Sequence, residues 1–270
     1  MEDSDYESLL EKTIGAVKRA GAEAMKFYGG EYPVKKKEDD SPVTRADLNS
    51  ERIIIDGLKD FGYGILAEES GLQGARTDRF WVVDPLDGTR DFIQETDEFS
   101  IMVGLLEGEK PVLGVVYAPA LGKLWHAVRG EGAFLRQAAG AKREISTSAA
   151  SDLEEFRIVV SRNHFRERDK RIAQSLGIRS VKRMGSVGVK FSTIAEGEAE
   201  LCLYTTGFLG PWDCCAPQAI LEEAGGTVFD RRGEEPLYDP AGGKMERGFI
   251  GTNGGFRKEV VAAVRAEFKD

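Results

Sequence analysis

Asp84 and Asp87 stand three positions apart at the end of an apolar run, in the stretch RFWVVDPLDGTRDF from Arg79 to Phe92. Pro85 cannot continue a central strand, so the chain must turn there. The turn can aim both carboxylates and the Leu86 carbonyl into one space. Ligands that are all oxygen suit a hard cation, Mg²⁺ above all. Gly88 and Thr89 then open the next segment, where backbone N–H groups can meet an anion. Turn formation alone would also account for Pro85 and Gly88, so the pair gains weight only in the company of other acids.

That company exists. LAEES puts Glu68 and Glu69 after another apolar run, TRAD puts Asp47 near a helix start, and PWD puts Asp213 near a second. Each has a plain structural use as well. Thr44 and Asp47 have the spacing of a capping box, Asp213 can oppose a helix dipole, and Glu68 with Glu69 can be a solvated pair. What the six acids could do together is hold cations against a phosphate ester. Two cations roughly 3.5–4 Å apart neutralise the attacking and leaving oxygens of such a reaction. An aspartyl-phosphate route fits poorly, because those enzymes space their two aspartates by two residues. A cysteinyl-phosphate route is absent too, since Cys202, Cys214 and Cys215 each lack an arginine six residues on. Water activated by metal is the expected nucleophile.

These residues need a frame to hold them. The chain has 270 residues, 41% of them apolar, and a net charge of −9. That balance disfavours a polymeric nucleic acid as partner, because such binding needs a basic face. No apolar run approaches the ~20 residues needed to span a bilayer, and MEDSDYESLL lacks the basic start of a signal peptide. A cytoplasmic protein is expected, with the KKK run at 35–37 as a solvated loop. Adjacent Cys214 and Cys215 read as small buried hydrophobes, and His126 and His164 lie too far apart to pair on a metal.

Periodicity predicts a helix over residues 4–29 with Leu10, Ile14, Val17, Ala20 and Ala24 inward. A second helix starts near Thr44, with Leu48, Ile54, Ile55 and Leu58 on its apolar face. Strands YGILAEE and RFWVVD end in carboxylates, and FSIMVGLLEG, PVLGVVYAP, KLWHAVRG and GAFL continue as a meander. Beyond STSAASDL, residues 146–153, strands and helices alternate: RIVVSR, a helix from Glu167, SVGVKFSTIAEG, ELCLY, a helix from Trp212 to Glu223, TVFD, GFIGTN and a closing helix. The expected domains are 1–148, α+β with most of the acids, and 149–270, α/β, completing the site.

The combination resembles the inositol-monophosphatase-like family of Mg²⁺-dependent, lithium-sensitive phosphatases. Its first motif is similar to WVVDPLDGTRDF and its second to PWDCCAPQAILEEAGG, with AEES, SPVTRAD, GVVYAP and FSTIAEGEAEL in agreement. The resemblance runs from about Lys37 to Phe229. It implies a layered α/β/α/β/α fold with the site between its halves, and two or three Mg²⁺ ions. By that resemblance Glu68, Asp84 and the Leu86 carbonyl hold one ion. Asp84, Asp87 and Asp213 hold another, and Glu69 holds further metal-bound water. Asp47 and Thr89 orient the attacking water, while Gly88 and Thr89 donate backbone N–H groups to the phosphate.

The substrate side resembles the 3'(2'),5'-bisphosphate nucleotidase branch, which acts on adenosine 3',5'-bisphosphate. DGTRDFI with DEFSI, VVSRNH and GSVGVKF carry that likeness, and it places Arg90, His164, Ser186 and Lys190 as substrate contacts. The chain departs from the branch in two places. Lys190 stands one residue further from Ser186 than the usual GSSxKF allows, and Thr205 and Thr206 occupy the place of an arginine expected before the second motif. The alternative is an inositol monophosphatase that also takes fructose 1,6-bisphosphate. A non-catalytic sensor on the same scaffold would have lost ligands, and none of the expected acids is lost. A small phosphorylated metabolite is thus the expected partner, with a homodimer left open.

Overall fold

The computed structural model describes residues 3–30, 33–36, 42–74, 77–137, 142–163, 165–239 and 243–268. The first half runs α1 (Asp3–Ala24), the two-residue strands β1 (Lys35–Lys36) and β2 (Pro42–Val43), α2 (Arg45–Leu58), β3 (Gly64–Ala67) and β4 (Gly71–Gln73). It continues through β5 (Arg79–Asp87), α3 (Thr89–Ile93), β6 (Ser100–Glu107), β7 (Lys110–Ala118), β8 (Lys123–Val128), β9 (Gly132–Gln137) and β10 (Lys142–Ile145). The second half runs β11 (Arg157–Ser161), α4 (Glu167–Ser175), β12 (Ser180–Met184), α5 (Val187–Ala195), β13 (Leu201–Tyr204), α6 (Pro211–Glu223), β14 (Thr227–Phe229), β15 (Phe249–Thr252) and α7 (Arg257–Phe268).

Strands β3 to β10 form an eight-stranded sheet in the order β10-β9-β8-β7-β6-β5-β3-β4, antiparallel except for β3 beside β5. The expected meander is its β6-to-β9 part, and β10 extends it by one strand that was not expected. Strands β11 to β15 form a second sheet in the order β12-β11-β13-β15-β14. Three apolar cores then stack the layers. Leu9, Ile14, Val17 and Ile54 from α1 and α2 pack on Trp81, Val83 and Val103 of the large sheet. On its other face, Met102 and Val116 meet Val189 and Ile220 of α5 and α6, which also cover Cys202 and Phe249 of the small sheet. Ile172 of α4 and Val260 of α7 close the outer side of that sheet over Ile158 and Ile250. The result is the α/β/α/β/α layering expected from the sequence. Near residues 146–153 the chain crosses from one sheet to the other, and the central core draws on both halves.

Two elements depart from the periodicity. Leu48, expected on the inner face of α2, is 51% exposed. The buried face is instead Ala46, Asp47, Ser50, Glu51, Ile54 and Leu58, so polar residues occupy inward positions that a hydrophobic count passes over. Strand β12 went unread because four of its five side chains, SVKR, are exposed at the sheet edge and carry no alternation.

One contact fixes where α6 sits. Gly104 of β6 pairs directly with Gly114 of β7, leaving a bare patch on the sheet. A Cβ on Gly104 would overlap Cys215 Sγ, and one on Gly114 would overlap the Ala216 carbonyl. The first turns of α6 therefore rest on backbone, and Cys214 and Cys215 are fully buried, as expected of small hydrophobes. Among the described residues no helix is long and apolar enough to cross a membrane.

Candidate active site

The three-residue spacing of Asp84 and Asp87 is resolved by the register of β5. Asp84 lies opposite Met102 and Asp87 opposite Ser100, with an irregularity between them. Pro85 does not end the strand as expected: β5 runs on to Asp87, and Pro85 and Leu86 face a single residue of β6, as in a β-bulge. Side chains on a strand alternate faces with a period of two. The extra residue therefore puts both carboxylates on the inner face, where Met102 also points. Asp84 is 1% and Asp87 7% exposed. Asp213 arrives from the other half, in the first turn of α6, its Oδ2 accepting the Gly210 N–H at 2.6 Å. One carboxylate oxygen from each of Asp84, Asp87 and Asp213 lies within 4.8 Å of the others.

Glu68 follows β3, which runs parallel to β5 with Ala67 beside Val83. It lines the same cavity of about 490 Å³ as Asp87 and Asp213. Burial, and then the like charges of Glu68, Asp87 and Asp213, push the Asp84 carboxyl well above its ordinary range. Burial also raises Asp87, opposed by the charge of Lys190 and hydrogen bonds from Ser186 and Gly188. Four acids crowded in this way are stable in the ionised form only beside a cation, and their oxygen-only donor set fits a hard divalent one.

Asp47 caps α2 as expected and also reaches Thr89. Its Oδ2 accepts the Thr44 N–H at 2.8 Å, and the Thr44 hydroxyl accepts the Ala46 N–H at 3.1 Å, which makes a capping box for α2. Its Oδ1 meanwhile accepts the Thr89 hydroxyl at 3.1 Å. Burial raises its carboxyl and the bonds from Thr44 and Thr89 oppose that rise. Thr89 starts α3 directly after Gly88, whose φ of +89° is the left-handed turn that glycine adopts freely. Glu69 is half-buried, and its N–H donates to Glu51 Oε2 at 2.8 Å. Glu51 on the inner face of α2 thus braces the loop that carries both glutamates.

Ser186 was expected as a substrate contact, and the structure gives its hydroxyl three partners. It donates to Asp87 Oδ2, accepts the Val189 N–H at 3.0 Å, and lies 2.8 Å from Ser100 Oγ. Its φ of +52° is unusual for a residue with a side chain and marks a strained turn at the cavity wall. Lys190 holds that turn. It is 1% exposed, and its ammonium donates to the carbonyls of Met184, Gly185 and Ser186. The expected contact of Lys190 with a second phosphate does not match this position, because all three of its N–H bonds go to backbone. Arg90 is exposed at the cavity rim. His164 lies outside the described residues. The cavity also has walls that spacing alone did not single out, among them Arg166, Tyr204, Phe208 and Lys244. Only their sequence neighbourhoods were visible, with no fixed interval to join them.

The model of the inositol monophosphatase family matches residues 5–267, and the chain belongs to that family. It is accordingly a phosphatase, of a family that is in general metal-dependent. The 3'(2'),5'-bisphosphate nucleotidase CysQ of Salmonella typhimurium is 35% identical over 248 residues, 89% of this chain and 98% of that one. The histidinol-phosphatase of Chlorobaculum parvum is 31% identical over 262 residues, 94% of this chain and 96% of that one. Among solved structures, the Thermotoga maritima IMPase superposes with a TM-score of 0.84 at 28% identity, covering 97% of this chain and 98% of that one.

Proposed function

We propose that this phosphatase removes the 3'-phosphate of adenosine 3',5'-bisphosphate with two or three Mg²⁺ ions bound. The convergence of Asp84, Asp87 and Asp213 within 4.8 Å carries the hydrolytic part of the reading. The nucleotide part is supported by the names of relatives 34–35% identical over most of the chain. Glu68, Asp84, the Leu86 carbonyl, Asp87 and Asp213 would hold the ions, and Glu69 would hold water beside them. When bound, Mg²⁺ supplies positive charge against the phosphoryl oxygens and lowers the pKa of the attacking water.

The protein's own atoms do the rest. Thr89 donates its hydroxyl hydrogen bond to Asp47 Oδ1, so its oxygen is left to accept from a water and aim it. The N–H groups of Gly88 and Thr89 would meet the phosphate at the start of α3, and charge-assisted bonds of that kind are roughly twice as strong as neutral ones. Arg90 at the rim adds a further cation.

The test is a turnover screen of purified protein with Mg²⁺ over adenosine 3',5'-bisphosphate, inositol 1-phosphate, fructose 1,6-bisphosphate and histidinol phosphate. The highest kcat/KM is expected for the bisphosphonucleotide. A clear preference for inositol 1-phosphate would instead favour an inositol monophosphatase, the reading supported by the Thermotoga neighbour.

A further inference from the structure

The cavity carries charges of both signs. The acid cluster lines it, and so do Arg166, just before α4, and Lys244, just before β15. Both cations are exposed, and among the described residues neither side chain is paired with a carboxylate. That is notable in a chain where 46 acids outnumber 37 basic residues. The backbone of each is tied down. Asp169 Oδ2 accepts the Arg166 N–H at 3.2 Å, while its Oδ1 accepts the Thr205 hydroxyl at 2.7 Å. The Arg166 guanidinium lies over the Phe208 ring at 5.6 Å. The Lys244 segment hangs on the same loop through Met245 N–H to the Leu209 carbonyl at 2.8 Å.

Two other candidates for anion recognition, Lys190 and Thr205, are engaged elsewhere. Lys190 is sealed on three carbonyls. Thr205, standing where an arginine was expected, is 3% exposed and bonded to Asp169.

We infer that Arg166 and Lys244 form the subsite for a second phosphate of the substrate, across the cavity from the bond being broken. This rests on the bisphosphate reading of the site. Phosphate is a dianion that accepts several charge-assisted hydrogen bonds at once. Two tethered but unpaired cations facing a cavity of this size suit it, whereas a neutral ring hydroxyl would leave them unanswered.

The experiment compares adenosine 3',5'-bisphosphate with adenosine 3'-monophosphate, which differs only in the second phosphate. The reading is the ratio of their KM values, for the wild type and for Arg166→Gln, Lys244→Gln and the double variant. Each substitution is expected to cost about ten-fold in that ratio and the pair about 100-fold, the range of charged hydrogen bonds. Lys182→Gln on the outer edge strand removes a charge away from the cavity and should not move the ratio. A double variant with the wild-type ratio, or a Lys182→Gln shift as large as theirs, overturns the subsite. If the wild type prefers fructose 1,6-bisphosphate and the double variant loses that preference, the nucleotide reading falls and the subsite stands. If the wild type prefers inositol 1-phosphate, both fall.

Discussion

The two ends of the cavity are built in different ways. The acid end is made of buried and half-buried side chains on regular elements or directly after them: β5 with its bulge, the end of β3 and the first turn of α6. Its carboxylates are held by backbone N–H groups, such as Leu86 N to Asp84 Oδ1 at 2.9 Å and Gly188 N to Asp87 Oδ2 at 2.9 Å. The cationic end is made of exposed side chains on loops, held by their backbone and, for Arg166, by the Phe208 ring. Bond breaking needs charge placed to within fractions of an ångström, so rigidity belongs at the first end. Recognition of a distant group tolerates a flexible arm, and such groups can change without disturbing the chemistry.

The sharpest way to break the contrast is Asp84→Asn. This carboxylate feels Glu68, Asp87 and Asp213 together, so its loss should lower kcat by several orders of magnitude with circular dichroism unchanged. Near-normal Mg²⁺-dependent turnover would refute the assignment of the acid end.

Lys190→Met comes next. It leaves three carbonyls without a donor and withdraws the positive charge that favours ionised Asp87. An unpaired buried polar group costs about 1–3 kcal/mol, so a drop in melting temperature and about a 100-fold fall in kcat are expected. The ratio of KM values between bisphosphate and monophosphate should stay put. A shift confined to that ratio would return Lys190 to substrate contact and erase the division between the ends.

A third effect concerns stability. Asp84 and Asp87 have native pKa values raised above the ordinary 3.8, so the native state binds more protons than the unfolded one in that window. By linkage the cation-free protein loses stability as pH rises from about 3.8 towards the raised values. Chelator-treated protein should therefore gain less in melting temperature between acid and neutral pH than Asp84→Asn treated alike. Mg²⁺ at 100 times its dissociation constant should restore about 2.7 kcal/mol at neutral pH. A flat difference between the two proteins across pH would contradict the crowding of charge.

The smallest effect is inhibition by Li⁺, expected to compete where Asp87 and Asp213 meet. It is read as a fall in Mg²⁺-dependent turnover at modest Li⁺, with KM for the bisphosphonucleotide little changed. Indifference to excess Li⁺ would separate this chain from the habit of its family while leaving the acid cluster intact.

The same division governs what could be read from residues alone. The acid end was legible because its parts are short local patterns, such as Asp84 to Thr89 or Trp212–Asp213. Even there, the reason a three-residue spacing works lies in the pairing of β5 with β6, and that is a property of two strands. Asp47 looked like either a cap or a site residue, and its two oxygens divide between the Thr44 cap and the Thr89 hydroxyl. The cationic end was illegible because Arg166, Phe208 and Lys244 belong to three segments brought together only by the small sheet and its loops. Lys190 was placed by motif, but one extra residue after Ser186 lies on a helix, where each step turns the side chain by about 100°.

The bare patch at Gly104 and Gly114 has a consequence for the order of events in a new chain. Asp213 can join Asp84 and Asp87 only after α6 has settled on strands about a hundred residues earlier, and such distant pairings are slow to form. Until then the acidic pocket is incomplete and has little hold on a divalent ion. A divalent ion taken up by the three acids would thus reward the last docking step and no earlier one, and would act as a late check on assembly.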